Sequence, residues 1–169
     1  PEALTAQQRT VYDQITGGPR AAGQQLFALT DEDGALNGPF GVMLHAPALG
    51  APLQEMGAAI RYRTSLSARC REIAILSVAA ALDSEFERYA HERVGASAGL
   101  SDSELHALRR GQFASSDPQE DAVNRLAADL LADAVVDDDT FAAYSARLDT
   151  QTIVEVIVLV GYYRLLAQS

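Results

Sequence analysis

The sequence predicts an all-α protein, a compact bundle of about seven or eight helices in a single domain over residues 1–169. Three observations carry this. Gly/Pro punctuation and N-cap residues divide the 169 residues into segments of helical length. No stretch shows the apolar/polar alternation of a half-buried strand. With 48% hydrophobic residues the chain is long enough for one substantial core and short for two ordinary domains.

Residues 5–15 read as the first helix, stopped by Gly17-Gly18-Pro19. Residues 21–29 read as a second, short one. Gly34, Asn37, Gly38 and Pro39 make residues 31–40 a loop, which leads into an apolar patch at 40–44. Pro47 suits the first position of a helix continuing through Leu53, Met56 and Ile60 to about residue 62.

Ser67 can cap a helix over 68–82 that has almost no polar face and therefore belongs in the centre. Ser84 caps the next helix, which Gly99 closes in a left-handed conformation. Ser101 and Glu104 form a capping box for a helix ending at Gly111, and Asp117 with Glu120 opens another reaching residue 132. Asp137, Asp138 and Asp139 precede a short helix through 148. The last helix, 152–167, is apolar nearly all round, which places it centrally or against another subunit.

The charge excludes several partners. With 23 acidic against 13 basic side chains the net charge is -10, so a phosphate backbone or an anionic membrane is repelled and no nucleic acid is expected. The apolar runs at 73–82 and 153–160 fall short of the ~20 residues of a membrane-spanning helix, so no membrane is expected and the location expected is cytoplasmic. Cys70 is the single cysteine, which rules out an internal disulfide and a two-cysteine redox cycle.

The residues with chemical potential are Glu72 on one helix and Glu87 with His91 on the next. Glu87 and His91, four apart, share one helix face, and Glu72 can reach them across a packed helix pair. Imidazole exchanges a proton near neutral pH, and two carboxylates in an apolar setting can orient it or relay its proton. A plainer reading competes at each position. Ser84 and Glu87 also fit a capping box. Glu87 and His91 also fit a surface pair worth about 0.3 kcal/mol. Glu72 also fits a structural salt bridge to Arg69 or Arg88. His106, in a polar helix, reads as surface, and Cys70 as an inert buried residue.

The order Glu72, eleven residues, Ser84, two residues, Glu87, three residues, His91 resembles the signature of the carboxymuconolactone decarboxylase and alkylhydroperoxidase D-like superfamily. That superfamily's redox branch has Glu-x11-Cys-x2-Cys-x3-His. Asn37-Gly38-Pro39-Phe40, Leu44-His45, Arg71-Glu72-Ile73-Ala74-Ile75-Leu76, Glu85-Phe86-Glu87, Ala98-Gly99-Leu100-Ser101 and Gly161-Tyr162-Tyr163 extend the resemblance over residues 37–163. Ser84 and Glu87 stand where the redox branch has its cysteines, so thiol-dependent peroxide reduction is not expected.

The resemblance to the cysteine-less branch implies a decarboxylase-type lyase acting on a small carboxylated lactone or carbonyl compound. It implies no organic cofactor and no metal. His91, Glu87 and Glu72 would be catalytic. His45, Arg88, Ser84 and Tyr162 would contact the substrate, although Arg61, Arg63, Arg69 and Arg71 are equally near in sequence. A homo-oligomer, trimer or hexamer, is implied as well. Isomerisation, retro-aldol cleavage or cyclisation would use the same site, and a non-catalytic binding protein on the same fold is the remaining alternative.

Overall fold

The structure, a computed structural model, describes residues 3–22, 25–132 and 137–169. Among these residues there are nine α-helices and one 3-10 turn, with no strand beyond an isolated antiparallel bridge between Thr30 and Leu36. The all-α class therefore holds. The chain divides into two units, one of residues 1–64 with Ser169 and one of residues 65–168.

In the first unit, α1 (Ala6–Thr16) starts at a reciprocal capping box. The Thr5 hydroxyl accepts from the Gln8 N–H, while the Gln8 side chain accepts from the Thr5 N–H at 2.9 Å. A 3-10 turn at Pro19–Ala21 follows. The predicted helix over 21–29 is absent beyond that turn from the described residues 25–29, and residues 23–24 lie outside the description. Side-chain and backbone bonds to the following loop explain this. Asn37 donates its backbone N–H to the Leu29 carbonyl at 3.0 Å and its amide to the Ala28 carbonyl at 2.9 Å, which ties residues 28–29 to the following loop.

The apolar patch after that loop is helical: α2 spans Pro39–Met43, with Phe40 and Met43 buried. The longer α3 (Pro47–Tyr62) begins with Pro47 in its first turn and packs against α1 and α2. Gly50 permits the close approach to α2, since a Cβ there would lie 2.2 Å from the Met43 carbonyl oxygen. Arg20 secures the unit by donating to the side chain of Gln54 at 2.9 Å and to its carbonyl at 3.1 Å.

The second unit is built around α4 (Ala68–Ala81), which packs against α5 (Glu85–Ser97), α6 (Asp102–Arg109), α7 (Pro118–Ala132) and α9 (Thr150–Ala167). Contact on so many sides is why this helix lacks a polar face: Ile73, Ala74, Ile75, Val78 and Ala79 are fully buried. The short α8 (Asp138–Ser145) packs against α9.

Arg69, at the start of α4, joins three elements. It donates to Glu120 of α7 at 2.6 Å, to Glu104 of α6 at 2.7 Å, and to the Gly99 carbonyl. Gly99 adopts the left-handed conformation expected of it (φ 93) and closes α5.

By length and hydropathy α9 would pass for a membrane-spanning helix. One face, however, is buried in the unit through Ile153, Val156, Leu159, Tyr162, Tyr163 and Leu166. The opposite face leaves Val154, Ile157, Val158 and Leu165 exposed. The helix is thus buried on one side and exposed on the other among the described residues.

Candidate functional site

Helices α4 and α5 are joined by only Leu82, Asp83 and Ser84, so they run antiparallel and in contact. Asp83 takes the left-handed conformation at φ 51, which the short side chain of Asp tolerates. In this hairpin Glu72 lies nine residues before the end of α4 and His91 six after the start of α5. At 1.5 Å per residue those positions are ~13 and ~9 Å from the turn, within reach of each other's side chains.

The three residues converge. His91 Nδ1 stands 2.6 Å from Glu72 Oε2, and His91 Nε2 stands 3.5 Å from Glu87 Oε2 across one helical turn. All three are buried, at 0% exposure for Glu72, 2% for Glu87 and 4% for His91. The imidazole therefore has a carboxyl oxygen facing each ring nitrogen. The first contact is a short hydrogen bond. The second is longer than an N–H···O bond, so Nε2 is the less tightly held nitrogen.

The ring is also held from the side. Tyr163 of α9 packs against it edge to face, with centroids 5.1 Å apart at 89°. Tyr162 meets Tyr163 in the same manner at 5.3 Å and 82°.

Local sequence explains how Glu87 comes to face His91. Ser84 caps α5, its hydroxyl accepting from the Glu87 N–H at 3.4 Å. The box is not reciprocal, because the Ser84 N–H donates to the Ala79 carbonyl at 3.0 Å and leaves the Glu87 carboxyl for the imidazole. That carboxyl sits in the first turn of α5, where the helix N-terminus favours negative charge.

The arginines sort differently from expectation. Arg69 is engaged by Glu104 and Glu120, and Arg88 pairs with Asp83 at 2.6 Å beside the α4–α5 turn. Neither forms the predicted salt bridge to Glu72, because each has an acidic partner better placed by the packing of its helix. Arg71 is the near cation: its Nε lies 3.9 Å from Glu72 Oε1.

The other named residues are placed as follows. Tyr162 is buried against Tyr163, whereas Ser84 performs the capping role described. His45 is exposed in the first unit, at the turn between α2 and α3, where its N–H donates to the Val42 carbonyl at 3.0 Å. His106 is exposed on α6. Cys70 is buried, and burial pushes its thiol up, away from the reactive thiolate.

The sequence points to Tyr162 and not Tyr163 as a substrate contact, and the contact of Tyr163 with the His91 ring had one available signal: the Gly161-Tyr162-Tyr163 segment on an otherwise aliphatic helix. The choice of Arg71 had none, since five arginines lie between 61 and 88.

What this arrangement can do is hold an imidazole in one orientation through Nδ1 and exchange a proton at its looser nitrogen, Nε2. Residues 47–129 of the chain match the carboxymuconolactone decarboxylase family. No curated protein matches the chain.

Proposed function

Across residues 47–129 the chain belongs to the carboxymuconolactone decarboxylase family, and from that premise we propose that it is a cofactor-independent, decarboxylase-type lyase acting by proton transfer on a small carboxylated lactone or carbonyl compound. The observation that carries this reading is the placement of His91 between two buried carboxyl groups, one bonded at 2.6 Å and one held off at 3.5 Å.

In this reading Glu72 accepts a hydrogen bond from Nδ1–H and stabilises the imidazolium, as a buried carboxylate does for a catalytic histidine in general. Nε2 is the exchanging nitrogen. A substrate displaces the looser contact, that of Glu87. The bond between the substrate's carboxylate carbon and the adjacent carbon breaks, carbon dioxide leaves, and the electron pair passes into the neighbouring carbonyl as an enolate. The Nε2 proton is then delivered to that carbon, and the ring regains a proton from solvent once the product leaves and the Glu87 carboxylate again faces Nε2. General acid catalysis of this kind contributes about 10²–10⁴-fold.

The test is carbon dioxide release from a panel of carboxylated γ-lactones and β-keto acids. Release by the wild type and a loss of about 10²–10⁴-fold in His91→Asn are expected. Equal turnover in the two proteins would remove His91 from the chemistry. Deuterium exchange next to a carbonyl without carbon dioxide release would reassign the same site to isomerisation.

We also propose a homo-oligomer, supported by the exposed apolar stripe of Val154, Ile157, Val158 and Leu165 on α9. Sedimentation should show the wild type as a trimer or hexamer and Val158→Glu as a smaller species; a monomeric wild type would exclude it.

A further inference from the structure

Arg71 and Glu72 are consecutive on α4, and consecutive helical side chains diverge by about 100°. Arg71 nevertheless folds back, so that its Nε lies 3.9 Å from Glu72 Oε1, while its Nη1 donates to the Leu66 carbonyl at 3.4 Å. Oε1 is the oxygen that His91 does not use. The Nε atom is shut off from solvent, and its side chain as a whole is 17% exposed. A guanidinium stays charged in any protein environment. A permanent cation has therefore been placed against the far side of the carboxyl group that anchors the imidazole.

Charge counting shows the consequence. With Glu72 and Glu87 ionised and His91 protonated, these three residues carry a net charge of one negative unit. Arg71 adds a positive charge beside them, which lowers the cost of burying the carboxylates. From neighbouring helices, His91 of α5 is bonded to Glu72, Glu87 of α5 faces the other nitrogen of that imidazole, and Tyr163 of α9 packs on its ring. Arg69 on α4 is neutralised by Glu104 of α6 and Glu120 of α7. Glu87 opposes ionisation of Glu72, and Arg71 favours it.

We infer that Arg71 is a positioning residue that keeps Glu72 ionised, thereby fixing a proton on Nδ1 of His91 and leaving Nε2 as the nitrogen that exchanges. This rests on His91 being the proton carrier. Arg71 acts through Glu72 and touches no substrate.

The experiment compares ring ¹⁵N resonances of His91 in the full chain at pH 7.5 for the wild type, Arg71→Lys, Arg71→Gln and Arg71→Met, with thermal melts alongside. The wild type and Arg71→Lys should show a protonated Nδ1. Arg71→Gln and Arg71→Met should lose that signature, as Glu72 takes the proton and Nδ1 becomes an acceptor. If Arg71→Met does not fold, the Lys and Gln variants decide the question, because they differ in charge while both can still donate a hydrogen bond to the Leu66 carbonyl. A folded Arg71→Gln or Arg71→Met with unchanged ring resonances would overturn the inference, whatever its melting temperature. This outcome is separate from failure of the lyase reading, which is seen as undiminished turnover in His91→Asn.

Discussion

Replacing Arg69 with methionine keeps most of the aliphatic stem and removes the guanidinium that joins α4 to α6 and α7. The structure sets the scale of the loss. Arg69 makes bonds of 2.6 and 3.1 Å to Glu120 and one of 2.7 Å to Glu104, with the arginine side chain 28% exposed and those of Glu104 and Glu120 30% and 11% exposed. Charge-assisted bonds are worth about 1.5–3 kcal/mol each when removed. Solvent around the partly exposed Glu104 returns part of this, so the expected cost at pH 7 is about 2–4 kcal/mol.

A pH signature accompanies it. Arg69 is the main cause holding the Glu104 carboxyl down at about 2, against an ordinary value of about 4.3. A depressed carboxyl stabilises the fold above the unfolded-state value and loses that contribution as pH falls through the folded-state value. The linkage has an upper bound of about 3 kcal/mol, with roughly half remaining at pH 3, and solvent screening lowers the measured amount. Urea unfolding of the wild type and Arg69→Met at pH 7 and pH 3 should therefore give a difference that shrinks toward acid. A difference below about 1 kcal/mol at pH 7, or one that is the same at both pH values, would refute the reasoning.

Gly50→Ala should destabilise by about 1–3 kcal/mol, because the new Cβ meets a backbone carbonyl that cannot move without displacing α2; urea unfolding checks it, and an unchanged midpoint would contradict the packing. Cys70 should react with a thiol reagent only as fast as the protein opens, since it is 1% exposed and burial raises its thiol. Immediate labelling of the native protein at pH 8 would show that the site is not closed.

Much of the helical order was legible because its signals are local. Ser67, Ser84, Ser101, Asp137 and Asp149 cap the helices that follow them, and the apolar composition of α4 follows from its position among four neighbours. The convergence of Glu72, Glu87 and His91 follows from spacing on a tight α-hairpin, which is also local. What sequence did not settle depends on pairing at a distance. Residues 39–43 fold as a helix and 25–29 do not, through bonds made by Asn37 and burial of Phe40. That Arg69 turns away from Glu72 was decided by acidic residues 35 and 51 positions away from it. Glu87 satisfied both a cap and a site by spacing. Only the bond from the Ser84 N–H to the Ala79 carbonyl separates the two roles.

In the proposed function His91 is oriented by Glu72 so that Nε2 can exchange a proton. Ring ¹⁵N spectroscopy of His91 in the wild-type protein at neutral pH tests it without knowledge of the substrate. A protonated Nδ1 that is protected from exchange, together with an Nε2 site that exchanges faster, is expected. An unprotonated Nδ1, with the ring proton confined to a protected Nε2, would contradict it.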